Sequence, residues 1–130
     1  MKIEISMLAG QQLKANFGDH EIICDQNVAV GGNAEYPEPF DYFLASMPLC
    51  ATFYIRKFCQ SRDISTNDIK ISQDNVNVDK NDKYKKKLIL SVELPESFPK
   101  KYRKALLAAA NTCTVKRVIQ AAPEFEINLL

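Results

Sequence analysis

Two cysteines are the residues best placed to do chemistry. Cys50 stands two residues after Pro48, inside a long apolar run. A proline there supplies no N–H to the carbonyl of Leu44 four residues earlier and bends the backbone. Local departures from a regular helix recur beside functional groups. Cys113 stands where one helical pattern ends and another begins, in AAANTCTVKR, followed by Lys116 and Arg117. A thiol at a helix start with cations nearby has the means to stabilise its thiolate. The chemistry on offer is that of a redox thiol pair, in which one thiolate attacks an oxidant and the second thiol closes a disulfide with it. The competing reading of any isolated cysteine is a small buried hydrophobe. Cys59 lies nine residues after Cys50, about half a turn around an ideal helix, and reads as a packing thiol. Cys24, at the end of a strand-like run, reads the same way.

Other chemistries find no support. The chain has one histidine, His20, and none of its four cysteines forms a C-x-x-C pair, so no metal site is expected. No Ser–His–Asp motif is present, and Gly31-Gly32 is not a phosphate loop. Lys+Arg is 17 and Asp+Glu 16, a net charge of +1, which does not suit a general nucleic-acid or anionic-membrane binder. Residues 99–117 carry six basic side chains and no acidic one, and lysines cluster at 80, 83 and 85–87. Both stretches read as solvated faces, since only Tyr84 is interleaved with the second cluster. The N-terminus has no apolar core of a secretory signal, so a cytoplasmic location is the expectation. The charge-free run Tyr42–Ile55 is 14 residues, too short to span a bilayer.

The elements that must position these thiols follow from the pattern. The 130 residues suit one domain, residues 1–130, with 46% hydrophobic residues and ordinary charge content. Lys2–Ser6, Gln12–Phe17 and His20–Cys24 read as three short strands joined at Ala9-Gly10 and Gly18-Asp19. A loop runs to Pro37. Pro39 to Arg62 reads as one helix, opened by proline at its first position and Asp41 in its first turn. Its apolar residues cover nearly every face, so it should be buried on all sides, and Pro48 should kink or split it. Asp68–Val78 and Tyr84–Leu94 form a long hairpin. Helices follow over Pro99–Asn111 and Thr114–Ala121, and Glu124–Leu130 alternates as a last strand. Strands and helices in blocks, rather than in strict βαβ order, indicate an α+β fold with mostly antiparallel sheet.

Three stretches carry a resemblance. Cys24-Asp25 followed by Gly31-Gly32-Asn33 is the first, Pro39 through Cys50 the second, and Tyr84 through Cys113 the third; together they cover residues 24–120. They resemble the OsmC/Ohr family, osmotically inducible protein C and organic hydroperoxide resistance protein. The second stretch is similar to that family's helix with the first reactive cysteine, and the third to the strand, Leu-Pro, helix block that ends at the second. The resemblance implies an intertwined homodimer around a long central apolar helix. It also implies thiol-dependent reduction of organic hydroperoxides, with Cys50 as attacking and Cys113 as resolving residue and an external dithiol of lipoyl type as reductant. No bound cofactor is implied. Phe40, Phe43, Met47 and Phe53, with Asp41 beside them, are the candidate substrate-binding residues. The family's glutamate ten residues before the first cysteine is here Phe40, and its N-terminal arginine has no counterpart in residues 1–40. Its C-P-V-H block reads Cys113-Thr114-Val115-Lys116. Lys14 and Lys116 are therefore the candidates for stabilising the thiolate. The other function class in view is a non-catalytic small-molecule-binding or stress-related dimer on the same fold.

Overall fold

The computed structural model describes all 130 residues. Three strands open the chain: β1 (Glu4–Met7), β2 (Leu13–Phe17) and β3 (His20–Cys24), antiparallel in the order β1-β2-β3. The β2–β3 loop is the two residues Gly18-Asp19, and Gly18 adopts φ +60°, the sign that a tight primed hairpin turn requires at its first position. After β3 the chain coils around the carboxylate of Asp25, which is fully buried. That carboxylate accepts the N–H groups of Gln26 at 2.7 Å, Asn33 at 3.3 Å and Glu35 at 3.2 Å. The Gln26 N–H holds its pKa down against the opposing effect of burial, with Glu35 and Asn33 adding to it. Gly32 closes the same coil; a Cβ there would lie 1.9 Å from the carbonyl oxygen of Gln26.

Helix α1 (Pro39–Gln60) follows. Asp41 serves its start: its Oδ2 accepts the N–H of Glu38 at 2.8 Å, the backward half of a capping box. Tyr42 ties the same turn to β3 by donating its hydroxyl to the Ile23 carbonyl at 2.6 Å. The helix runs unbroken through Pro48, so the expected split does not occur. It ends in a Schellman arrangement: Ile64 N–H reaches the Cys59 carbonyl at 3.0 Å and Asp63 N–H the Gln60 carbonyl at 3.3 Å, with Asp63 at φ +52°.

The remaining elements are the hairpin β4 (Lys70–Asn77) and β5 (Lys86–Glu93), a 3₁₀ turn over Lys100–Tyr102, α2 (Arg103–Ala110) and α3 (Thr114–Gln120). The expected strand over Glu124–Leu130 does not form; Phe125, Ile127 and Leu129 stand in solvent. An alternating segment becomes a strand only against a free edge, and these residues pair with none within the chain.

The chain resolves into two compact units, residues 1–45 and 46–130. In the second, Ile55, Phe58, Cys59, Phe98, Leu106 and Ala110 form the main core, with Ile64 of the helix cap packed on it. Met47, Ala51 and Cys113 form a smaller one, joined by Cys50, Leu88, Leu90 and Val115. The buried residues of α1 are Met47, Ala51, Ile55, Phe58 and Cys59, one stripe at helical spacing. The all-round burial expected of this helix is thus not found within a single chain. Phe40, Phe43, Leu49 and Phe53 are all more than two-fifths exposed.

Candidate active site

The smaller core brings Cys50 and Cys113 together. Cys50 comes from the middle of α1, and Cys113 from the junction where α2 stops and α3 begins. That junction is made locally. Thr112 and Cys113 turn back to the carbonyls of Ala109 and Ala110, and Cys113 becomes the N-cap of α3 with its sulfur accepting the Lys116 N–H at 3.5 Å. The two thiols pack in the same small core and are free, not joined in a disulfide. Cys50 is partly exposed and Cys113 fully buried. The Cys113 Sγ also lies 3.6 Å from the Met47 carbonyl oxygen, to which it can donate.

Their environments separate them. Burial pushes the Cys50 thiol up, but the Val115 N–H, the Cys113 thiol and the Thr114 N–H outweigh it, and the pKa is lowered. Each of these donates to the thiolate and so favours it. Burial also pushes Cys113 up. The Lys116 N–H counters this, yet the hydrogen bond and charge of a neighbouring Cys50 add to the rise, and the pKa is raised. Of the two, Cys50 is therefore the thiol that ionises more readily. A partly exposed thiolate beside a protonated partner can attack an electrophile and then be met by the second sulfur.

A cavity of about 400 Å³ opens beside Cys113, lined also by Met47, Leu88, Leu90 and Leu107 together with Lys87 and Lys116; Cys50 is not part of its lining. Of the five candidate substrate-binding residues, Met47 lines this cavity. Phe40 and Phe43 stack on each other, ring centroids 5.6 Å apart, in the first turns of α1, where Asp41 caps. Phe53 meets Tyr54 edge-on and lies under the Lys57 amine. Lys116 reaches the Cys113 sulfur through its backbone N–H, while its amine is bound by the side-chain oxygen of Asn111. Lys14 lies on β2 in the first unit, 3.4 Å from the Glu21 carboxylate. There it lines a separate concavity of about 290 Å³ with Ile5, Leu13, Ile22 and Cys24. The residues sequence reasoning missed are Tyr54, Thr114 and Val115. Backbone donors leave no mark of residue type, and the Tyr54–Thr114 contact, 2.9 Å between hydroxyl oxygens, spans 60 residues.

The family model described as OsmC-like protein matches residues 31–128, which takes in both cysteines and every element from α1 onward. The chain belongs to the OsmC-like family. Among solved structures, this OsmC-like chain is similar to one from Psychrobacter arcticus 273-4, provisionally named an osmotic stress induced and detoxification response protein. The two are 17% identical with a TM-score of 0.72, over 90% of this chain and 86% of that one. It is also similar to an OsmC like protein from Mycoplasma pneumoniae, at 14% identity and TM-score 0.63, over 94% and 89% of the two chains. An organic hydroperoxide resistance protein OsmC from Legionella pneumophila matches at 17% identity and TM-score 0.56, over 92% and 90%. At these identities the likeness is one of fold, here the α+β OsmC-like fold with antiparallel sheets and three helices. No curated protein matches the chain in sequence. No helix is long and apolar enough to cross a membrane.

Proposed function

We propose that this OsmC-like chain is a thiol-dependent peroxidase of organic hydroperoxides, with Cys50 attacking and Cys113 resolving. The observation that carries the reading is the contact of two thiols whose surroundings push them in opposite directions. In the first step the Cys50 thiolate attacks one peroxide oxygen and the O–O bond breaks. The alkoxide leaves and takes a proton to become the alcohol, and Cys50 becomes a sulfenic acid. In the second step the Cys113 sulfur attacks the sulfenic sulfur, the S–S bond forms, and the hydroxyl leaves as water with the Cys113 proton. An external dithiol of lipoyl type then returns both thiols by exchange and is itself oxidised to its disulfide.

The apolar cavity beside Cys113 supports an alkyl or aryl peroxide over hydrogen peroxide, because its lining offers an oily tail a place that water does not reward. The hydroperoxide-resistance name of the Legionella neighbour is in keeping with this chemistry. The proposal includes a homodimer, since the exposed Phe40, Phe43, Leu49 and Phe53 of α1 are the kind of surface a second copy would cover. It also includes a reducing cytoplasm, where the free cysteines start as thiols.

The test is consumption of cumene hydroperoxide with dihydrolipoamide by wild type, Cys50→Ser and Cys113→Ser. Cys50→Ser should reduce turnover to background. Cys113→Ser should consume one equivalent of peroxide and stall. Equal background rates in wild type and Cys50→Ser would remove the enzyme reading and leave a binding dimer on the same fold.

A further inference from the structure

The cavity beside Cys113 is polar at one end and apolar at the other. One of its walls is β5, which lines it from Lys87 to Val92, about 17 Å of strand. Leu88 packs on the small core that holds Cys113, whereas Val92 packs on the main core that holds Leu106 and Ala110. Lys87 therefore stands at the Cys113 end, and Val92, Ala110 and Leu107 make the far end. Lys116 belongs to the Cys113 end as well. Its backbone N–H reaches the Cys113 sulfur, and its amine bonds to Asn111, which is also in the lining. The charge at that end is not balanced. No carboxylate lines the cavity, and Lys87 enters none of the chain's ion pairs. Asp74 sits two residues from Val76, the cross-strand partner of Lys87, and does not pair with it either. Asn111 is neutral and takes only one of the three donors of the Lys116 ammonium.

We propose that this cavity binds a carboxylate with an apolar tail, its head held by Lys87 and Lys116 at the Cys113 end and its tail laid along β5 toward Val92 and Leu107. Two cations without a counter-ion recognise an anion, and an apolar floor running away from them recognises what that anion is attached to. A neutral chain would use only the apolar half of the groove. The inference deepens the peroxidase reading and rests on it in one respect, that the ligand is a substrate. A hydroperoxide seated in this way presents the atoms near its charged end to the thiols and keeps its tail away from them. Binding itself needs no peroxide, so it is measured apart from turnover.

The experiment is an NMR titration of the reduced full chain, at fixed ionic strength, with octanoate, its neutral counterpart octanamide, and butyrate. Octanoate should bind about fivefold more tightly than octanamide. Lys87→Gln and Lys116→Gln should each weaken octanoate and butyrate alike, by about threefold, and Lys87→Arg should keep the affinity. Leu107→Ala, at a half-exposed position that the fold does not depend on, should weaken octanoate by about threefold and leave butyrate unchanged, because the short chain does not reach it. Lys101→Gln, on an exposed lysine outside the cavity, should change nothing. Equal binding of octanoate and octanamide, no binding of octanoate, or equal losses from Lys101→Gln and the two cavity lysines would overturn the proposal. A loss from Leu107→Ala as large for butyrate as for octanoate would overturn the assigned direction of the tail. Turnover of cumene hydroperoxide is scored separately. Lysine-dependent octanoate binding without turnover ends the peroxidase reading and keeps the carboxylate site. Turnover without a preference for octanoate ends the carboxylate site alone.

Discussion

Helix α1 carries two cysteines, and its two halves treat them in opposite ways. Cys59 is enclosed by the main core and has no exposed surface. Burial raises its thiol, and the charge of Arg62 offsets only part of the rise. The Arg62 guanidinium is occupied with the Phe58 ring, 3.8 Å from its centroid, and with the Phe58 carbonyl. Cys50, nine residues earlier, also suffers burial, yet the Val115 N–H, the Cys113 thiol and the Thr114 N–H lower its pKa. Reactivity on this helix follows the element packed against each turn, not the helix itself.

The largest expected effect would break the comparison outright. At neutral pH, native alkylation should label Cys50 at least about a hundredfold faster than Cys59, because Cys59 must wait for an opening of the core. Mass mapping of the labelled sites reads this directly, and comparable rates would mean the main core does not protect its thiol. Next, Leu106→Ala removes a fully buried side chain from that core and should cost about 3 kcal/mol in denaturant unfolding. It should speed Cys59 labelling while leaving the Cys50 pH midpoint in place, which sharpens the separation of the two halves.

The smaller effects probe pH and the helix end. A thiol raised in the folded state contributes stability that is present below the ordinary thiol range and lost as pH rises through it. The melting-temperature advantage of wild type over Cys59→Ala should therefore narrow, by about 2 °C, between neutral and strongly alkaline pH. A gap that widens would reverse the assigned direction. Last, Asp63 closes α1 at φ +52°, a conformation an aspartate tolerates and a glycine prefers. Asp63→Gly should stabilise the Cys59 half by about 0.5 kcal/mol, measured as a rise in denaturant midpoint with no change in Cys50 labelling.

Much of this arrangement was legible in the sequence where a local rule decides. His20–Cys24 is a strand with the bounds its alternation implies, because a two-residue Gly-Asp turn fixes where it can start. The helix begins at Pro39, where proline and Asp41 both belong, and ends two residues before the expected Arg62 because the Schellman turn takes those residues. Pro48 does not split the helix, because removing one N–H does not stop a helix whose Met47, Ala51 and Ile55 are anchored in the two cores. Glu124–Leu130 forms no strand, since its alternation is real but strand formation needs a partner edge. At the site, the cysteines were legible by type and setting. Their stabilisers were not, because the sequence advertises lysine side chains, whereas the Cys113 sulfur accepts a peptide N–H and the lowering of the Cys50 thiol traces to peptide N–H groups and the second thiol.

The Cys113 thiol donates to the Met47 carbonyl oxygen and has the Cys50 sulfur beside it in the same core. As Cys50 ionises, the stronger acceptor changes from oxygen to thiolate. An S–H bond vibrates in an infrared window that peptide groups and water leave nearly empty, and its frequency drops as its hydrogen bond strengthens. The chain therefore carries its own spectroscopic reporter. The Cys113 band, picked out from those of the other three free thiols by difference against Cys113→Ser, should shift as its neighbour loses a proton and disappear when an oxidant joins the two sulfurs.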